Sequence, residues 1–296
     1  MDGSESDNSG QGPDHYTPQR LARALGVSTS TVKRWADQGR FPVRRTEGGH
    51  RRIPREAAVA FLRERGVALE GPVGGGPEQD GPAELPPGSE AAVFFRLLSE
   101  GREVETLEHV LGQCRAGRGL ADILHHGLTP ALRQIGLLWQ SGHFGIFAEH
   151  VASRITARVL TAVRPLAAPE GPLALGGAME DDPHGLASAM AAGVIEAAGW
   201  RVMDLGSFSP APMLAEQAHA QGADLVWVAL GTTLAPELHR ARLEGLARAL
   251  GKGPGKPVLA AGGPGYRGAP FPPPEGVHLI ETLPQLDEFA RRLRQG

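Results

Sequence analysis

The spacing of apolar residues divides the chain into segments of different structural type. From 89 to 166, apolar side chains recur every three or four residues in four runs separated by glycine, which predicts four amphipathic helices. From 171 to 296, strand-like runs such as GPLALGGA and ADLVWVALG alternate with helical patterns. We therefore expect a four-helix bundle followed by a doubly wound, Rossmann-like α/β domain with a parallel sheet.

The segment from 16 to 65 has a different pattern. In TPQRLARALGVSTSTVKRWADQGRFP, Leu21 and Leu25 lie one helical turn apart, Gly26 predicts a tight turn, and Val32 and Trp35 mark the inner face of a second helix. The run VRRTEGGHRRI then predicts a hairpin, because its Gly-Gly tip supplies the positive φ angles of a tight turn. Helix, turn, helix and hairpin together predict a winged helix-turn-helix.

Two further stretches, residues 1–15 and 66–88, are too polar and too rich in Gly and Pro to form a core. A short break, LAAPEG, separates the bundle from the α/β domain. The predicted parts are a disordered tail at 1–15, a winged helix-turn-helix at 16–65, a flexible linker at 66–88, a four-helix bundle at 89–166 and an α/β domain at 171–296.

Charge is distributed unevenly along the 296 residues. The net charge is only -3, yet residues 16–65 carry twelve Lys and Arg against four Asp and Glu. Such a basic segment is typical of a double-stranded DNA partner, although a merely solvated charged face is the alternative. The side chains that would meet DNA lie on the second helix and on the hairpin: Ser30, Thr31, Lys33, Arg34, Arg44, Arg45, His50 and Arg51.

Other features of the composition narrow the class of protein. A single cysteine, Cys114, excludes a disulfide framework and any multi-cysteine metal site. The N-terminus lacks the apolar core of a signal peptide, and no run approaches the roughly 20 apolar residues of a membrane span. We expect a cytoplasmic protein with no membrane partner.

The strongest candidate for chemistry lies in EDDPHGLA, directly after the first predicted strand of the α/β domain. Ligands of such folds bind beyond the carboxyl ends of the strands. There Asp182 can accept the far ring N–H of His184, which fixes the imidazole tautomer and makes the other nitrogen a better metal ligand. A capped helix start is the alternative, and no G-x-G-x-x-G opens this helix.

This loop resembles the Asp-x-His-x-x-Gly loop of cobalamin-binding domains. The resemblance implies that His184 is the metal ligand, on the lower face of cobalt, and that later loops line a slot for the displaced dimethylbenzimidazole tail. Ala187 replaces the last glycine of the motif, and Gly231-Thr232-Thr233 stands where the family has a serine. The implied cofactor-binding residues here are Asp182, His184, Gly185, Gly231, Thr232, Thr233, Gly262 and Gly263.

The segment 16–65 in turn resembles the DNA-binding domain of MerR-family regulators, which bind as dimers to two half-sites. Together the three folded segments resemble the CarH/LitR class of cobalamin-dependent photoreceptor regulators. Trp139, Glu149 and His150 match that class, whereas by themselves they would indicate a core tryptophan and a surface pair. Gln140 departs from the class, which has a histidine there.

The resemblance implies a transcriptional repressor rather than an enzyme. Adenosylcobalamin would be its chromophore, and dimers would assemble into a tetramer that occludes promoter DNA until light cleaves the cobalt–carbon bond. Two alternatives stay open. One is a MerR-type regulator that senses another ligand in a diverged cobalamin-binding domain, and the other is a corrinoid methyl carrier.

Overall fold

A computed structural model describes residues 15–16, 18, 21, 29–45, 51–54, 57, 61, 85–140, 146–164, 170–180, 182, 185–231, 236–253, 255–266, 269 and 271–295. The chain divides into two compact units, residues 1–70 with 138–146, and residues 71–137 with 147–296. The predicted tail up to residue 14 and the predicted linker up to residue 84 lie outside the described residues.

The first unit contains one described helix and a small antiparallel sheet around an apolar core. Its elements are α1 (Thr29–Asp37), β1 (His15–Tyr16), β2 (Arg44–Arg45) and β3 (Arg51–Pro54). Strand β3 lies between β1 and β2, with Arg45 opposite Arg51. The core consists of five buried side chains, Leu21, Val32, Phe41, Ile53 and Phe61. The hairpin tip at 46–50 lies outside the described residues.

Five helices are described between residues 90 and 162. They are α2 (Glu90–Ser99), α3 (Glu103–Arg115), α4 (Leu120–Ile123), α5 (Thr129–Gln140) and α6 (Ile146–Ala162). The Ser89 side chain caps α2 by accepting a 3.2 Å hydrogen bond from the Ala92 N–H. The sequence pattern over residues 119–142 predicts one continuous helix. The structure instead has α4 and α5, joined by a π-helical segment at Leu124–Leu128. Gly127 lies in this segment, against the Phe94 ring. A Cβ at this position would lie 2.5 Å from the ring, so glycine permits the close packing.

The α/β part is a five-stranded parallel sheet. Its strands are β4 (Leu173–Ala178), β5 (Arg201–Asp204), β6 (Leu225–Ala229), β7 (Val258–Gly262) and β8 (Val277–Ile280). They run in the order β5-β4-β6-β7-β8, so the chain changes direction across the sheet between β4 and β6. The covering helices are α7 (Gly185–Ala197), α8 (Ala211–Gln221), α9 (Pro236–Leu250) and α10 (Leu283–Gln295).

The two faces of this sheet belong to separate apolar clusters. One face packs with α7, α10 and buried side chains of α2 to α6, and the other packs with α8 and α9. On the first face, buried Trp200 donates its ring N–H to the Ala290 carbonyl at 3.0 Å. Glu196 of α7 pairs with Arg164 after α6 at 2.7 Å, and this hydrogen bond raises the pKa of the Arg164 guanidinium. The helical segment therefore packs on the same side of the sheet as α7 and α10.

Within the described part of the chain, every helix is too short or too polar to cross a lipid bilayer.

Candidate functional site

The loops that follow β4 and β6 border the crevice where the strand order reverses. In open α/β sheets this switch point is where ligands bind. Asp182 lies on the first of these loops and is only 3% exposed. Its N–H donates to the Met179 carbonyl at 2.8 Å, and its carbonyl accepts from the Phe208 N–H at 3.1 Å. The backbone of Asp182 is thus fixed from both sides.

Gly231, on the loop after β6, is in close contact with the Asp182 carboxylate. A Cβ at Gly231 would lie 2.1 Å from Oδ2 of Asp182. The Gly231 carbonyl lies 2.8 Å from Nε2 of buried His239, and since a carbonyl only accepts, this nitrogen carries the proton. On the same side, a Cβ at Gly265 would lie 2.1 Å from the Gly231 oxygen. Gly231 is therefore enclosed, and any side chain there would require the buried Asp182 carboxylate to move.

Close backbone contacts also require glycine at positions 262 and 263, where β7 ends. A Cβ at Gly262 would lie 2.7 Å from the Ile280 carbonyl oxygen. Gly263 has a φ of 116°, and its Cβ would lie 2.5 Å from the Leu230 carbonyl oxygen. The Leu230 N–H in turn donates to the Gly262 carbonyl at 2.8 Å. The loops after β6 and β7 are thus held together through their backbones.

A cavity of about 140 Å³ opens between α7, α10 and the carboxyl ends of β6 and β7. Its lining is mostly apolar and includes Ala187, Met190, Ala191, Trp227, Ala261 and Leu286. The Trp227 indole lies across Gly176 of the neighbouring strand, where a Cβ would lie 2.2 Å from the ring. This cavity accepts an apolar group next to the glycine loops.

The Trp227 ring is held by buried polar partners. Its ring N–H donates to the Ser188 hydroxyl at 3.1 Å, and that hydroxyl donates to Oδ1 of Asp204 at 2.8 Å. After β7, burial raises the pKa of the Tyr266 hydroxyl by desolvation, so that group stays a neutral donor to the Pro272 carbonyl. Trp227, His239 and Ser188 were not predicted from the sequence, because apolar and helical patterns contain such residues without any distinguishing signal.

The other residues predicted at this site are described in part. Gly185 begins α7, and a Cβ there would lie 3.5 Å from the Ser207 nitrogen, an ordinary contact. His184, Thr232 and Thr233 lie outside the described residues, so their roles stay predictions.

Glu149 and His150 lie in the first turn of α6. Glu149 is 5% exposed, and its Oε1 accepts a 3.1 Å hydrogen bond from the Ser153 hydroxyl. Nδ1 of His150 lies 3.4 Å from Oε2 of Glu149. Trp139 is buried near the end of α5, in the segment grouped with the first unit, whereas the other two residues belong to the second. A joint role for the three residues stays a prediction.

The candidate DNA contacts of the first unit are mostly exposed. On α1, Ser30, Lys33 and Arg34 are exposed and Thr31 is half-buried. On the hairpin, Arg44 is exposed, Arg45 is described by its backbone alone, and His50 lies outside the described residues. Arg51 forms an ion pair that the sequence analysis did not predict, with its Nη2 2.5 Å from Oδ1 of Asp37 at the end of α1. This pair joins strand β3 to the helix.

Two protein-family models match this chain. Residues 16–66 match a helix-turn-helix domain, and residues 94–164 match a B12 binding domain. The first match covers the basic segment, and the second covers the helices that precede the sheet. A helix-turn-helix domain indicates DNA binding, and the combination fits a cobalamin-binding regulator.

Two curated relatives come from Methanosarcina mazei. Dimethylamine corrinoid protein 2 is 31% identical over 121 residues, covering 38% of this chain and 56% of that protein. Dimethylamine corrinoid protein 1 is 30% identical over 121 residues, covering 38% and 55% respectively. The chain therefore spans about half the length of the curated relatives that it matches. Both relatives are named corrinoid proteins.

Solved structures show weaker similarity. The monomethylamine corrinoid protein of Methanosarcina barkeri is 16% identical with a TM-score of 0.48, covering 68% of this chain and 96% of that one. A cobalamin-binding protein of Desulfitobacterium hafniense is 16% identical with a TM-score of 0.35, covering 68% and 97%. Similarity at this level carries no information on what this chain binds.

Proposed function

We propose that this protein is a light-responsive transcription regulator, a repressor that uses adenosylcobalamin as its chromophore. The observation that carries the proposal is the packing of the buried Asp182 carboxylate against Gly231 at the switch point of the sheet. In the sequence this buried carboxylate stands two residues before His184, in a chain that also carries a helix-turn-helix domain. Such a carboxylate is what a metal-binding histidine needs behind it.

The residues at the sheet edge fit a cobalamin. Gly262 and Gly263 line the apolar cavity, and close packing against their own neighbours holds Gly231, Gly262 and Gly263 in place. This cavity is walled by Trp227 and Met190, which suits the apolar dimethylbenzimidazole base at the end of the cofactor tail. Ala187 lines that cavity, so its methyl group, where the family motif has glycine, is accommodated in the wall.

Each site residue has a distinct task in this proposal. His184 would hold the cobalt, and Asp182 would accept a hydrogen bond from its other ring N–H and so fix its orientation. Glu149 and His150 would contact the cofactor, and the role of Trp139 is the one that the resemblance implies. When bound, the cofactor supplies a cobalt–carbon bond that light breaks. Gln140 offers an amide, a poorer cobalt ligand than imidazole, so we expect a less firmly locked state after illumination.

In the first unit, the exposed side chains of α1 would enter the major groove and the arginines of β2 and β3 would contact phosphates. The proposal includes assembly from dimers to a tetramer in the dark. Several weak half-site contacts then combine through effective concentration, so disassembly releases DNA. Illumination would therefore release the promoter.

The proposal is tested by reconstituting the full chain with adenosylcobalamin in the dark. The native protein should retain the cofactor through gel filtration and change its absorption spectrum and elution volume after illumination. In His184→Ala, water or no protein ligand should replace the imidazole, which shifts the spectrum of the bound cofactor or lowers its retention. A native protein that elutes without cofactor would exclude the proposal and leave a regulator that senses another ligand.

A corrinoid methyl carrier is the second candidate, because the two curated relatives are named corrinoid proteins. It is distinguished by loading the protein with methylcobalamin and measuring both methyl transfer to a thiol acceptor and retention of double-stranded DNA. DNA retention without methyl transfer favours the regulator. Methyl transfer without DNA retention favours the carrier.

A further inference from the structure

Phe208 combines a strained backbone with an exposed aromatic ring. Its φ is 56°, in the left-handed region that favours glycine, and the residue is 57% exposed. Among the described residues other than glycine, only Lys256 shares a positive φ, and it lies before β7, away from the carboxyl edge. Strain of this kind persists only where the surrounding structure enforces it, and it concentrates at ligand sites.

The surrounding structure does enforce it. The loop that carries Phe208 is hydrogen-bonded to β4 on both sides, since the Ala178 N–H donates to the Gly206 carbonyl at 2.8 Å and the Ser209 N–H donates to the Ala178 carbonyl at 2.9 Å. Oδ1 of Asp204 also accepts the Gly206 N–H at 3.1 Å. The exposure of the ring is therefore fixed by the fold.

The position of the loop indicates what the ring contacts. The Phe208 N–H donates to the Asp182 carbonyl at 3.1 Å, so the residue is attached to the loop that carries His184. A second link joins the same two loops, because Glu180 accepts the Ala211 N–H at 3.0 Å. The ring thus stands at the carboxyl edge of the sheet, where ligands of this fold bind.

We propose that Phe208 is a cofactor-contacting residue whose ring packs against the apolar part of a flat macrocycle bound at this edge. The inference rests on the proposed function, since that function supplies the macrocycle. Binding would remove the ring from water and so offset the cost of holding it exposed. Val104, which is 64% exposed on α3, is an exposed apolar side chain with ordinary helical backbone and serves as the matched control.

The test compares native protein, Phe208→Gly, Phe208→Leu and Val104→Ala as full chains. Equilibrium dialysis in the dark measures adenosylcobalamin affinity, and melting of the cofactor-free protein measures stability. Glycine relieves the positive φ, so Phe208→Gly should melt no lower than native protein. Its affinity should nevertheless fall by about threefold to tenfold. Phe208→Leu should lose less, and Val104→Ala should bind as native protein does.

Other results overturn the inference. Native affinity in both Phe208 variants would show that the ring does not touch the cofactor. Affinity that falls only together with the melting temperature would assign Phe208 a structural role. Unchanged affinity with an altered elution volume would assign the ring to a protein partner. If native protein itself binds no adenosylcobalamin, the proposed function fails as well, and that result is distinct from a failure confined to the variants.

Discussion

The two candidate binding regions of this protein are built in opposite ways. The helix-turn-helix unit offers exposed charges on a nine-residue helix and a short hairpin, above a core of five buried side chains. The sheet edge instead consists of a buried carboxylate, bare glycine backbones and a small apolar cavity. Substitutions among exposed charges should lower DNA affinity gradually, in proportion to the positive charge removed. Substitutions at the closely packed sheet edge should lower cofactor affinity steeply, because one added atom displaces a neighbour.

The largest effect is expected from Gly231→Ala. The new Cβ would lie 2.1 Å from Oδ2 of Asp182, so the buried carboxylate must move. We expect the free energy of unfolding to fall by about 1–3 kcal/mol. Adenosylcobalamin affinity should fall by more than about tenfold, or about 1.4 kcal/mol. Chemical denaturation and equilibrium dialysis measure the two quantities.

Gly245→Ala is the control for this change. Gly245 lies in α9 with no atom within 4 Å of its Cβ position, so the substitution should stabilise the protein by about 0.5–1 kcal/mol and leave binding unchanged. If Gly231→Ala and Gly245→Ala had the same stability and the same cofactor affinity, Gly231 would not be enclosed.

The next effect is expected from filling the cavity. Ala191→Leu adds three carbons to its wall, so the cofactor tail and the new side chain would compete for about 140 Å³. We expect an affinity loss of about tenfold, with stability unchanged or raised by about 1 kcal/mol. Ala197→Leu, at an exposed position of the same helix, is the matched control. Native affinity in Ala191→Leu would place the tail elsewhere.

A smaller and salt-dependent effect is expected from Lys33→Ala. If Lys33 contacts a phosphate, the slope of log affinity against log salt should fall by about one unit, similarly for every DNA sequence. Fluorescence anisotropy with labelled duplexes at several salt concentrations measures this slope. Lys252→Ala, an exposed lysine of the second unit, should leave the slope as it is. An unchanged slope in Lys33→Ala means that this side chain does not touch phosphate.

The smallest effect is expected from Asp37→Ala. The Arg51–Asp37 pair is partly exposed, so its loss should change the free energy of unfolding by less than about 1 kcal/mol. Removal of the carboxylate frees Arg51 for phosphate and should raise DNA affinity by about twofold. Weaker binding would instead show that the pair holds the hairpin in place for DNA.

The sequence pattern predicted most of the architecture. Apolar runs located the five strands, of which the central ones are buried along their length, and three-to-four spacing located most of the described helices. The π-helical segment at Leu124–Leu128 was not predicted, and within it Gly127 packs against the Phe94 ring. The spacing of apolar residues along the sequence does not indicate such a long-range contact.

The candidate site was predictable only in outline. Asp182 and the glycine loops could be placed at the sheet edge because parallel strands bring their carboxyl ends together. His239 and Trp227 were missed, since a histidine in a helix and a tryptophan in a strand become informative only once their partners are known. The strained φ of Phe208 likewise follows from hydrogen bonds between loops distant in sequence.

The most direct test of the account is the DNA affinity of the cofactor-loaded full chain before and after illumination. A duplex selected by the protein in the dark from a random pool serves as the probe, followed by fluorescence anisotropy. The account predicts tight binding in the dark that is lost on illumination of native protein, and no light-dependent change in His184→Ala. Equal affinity of loaded native protein in the dark and in the light would contradict it.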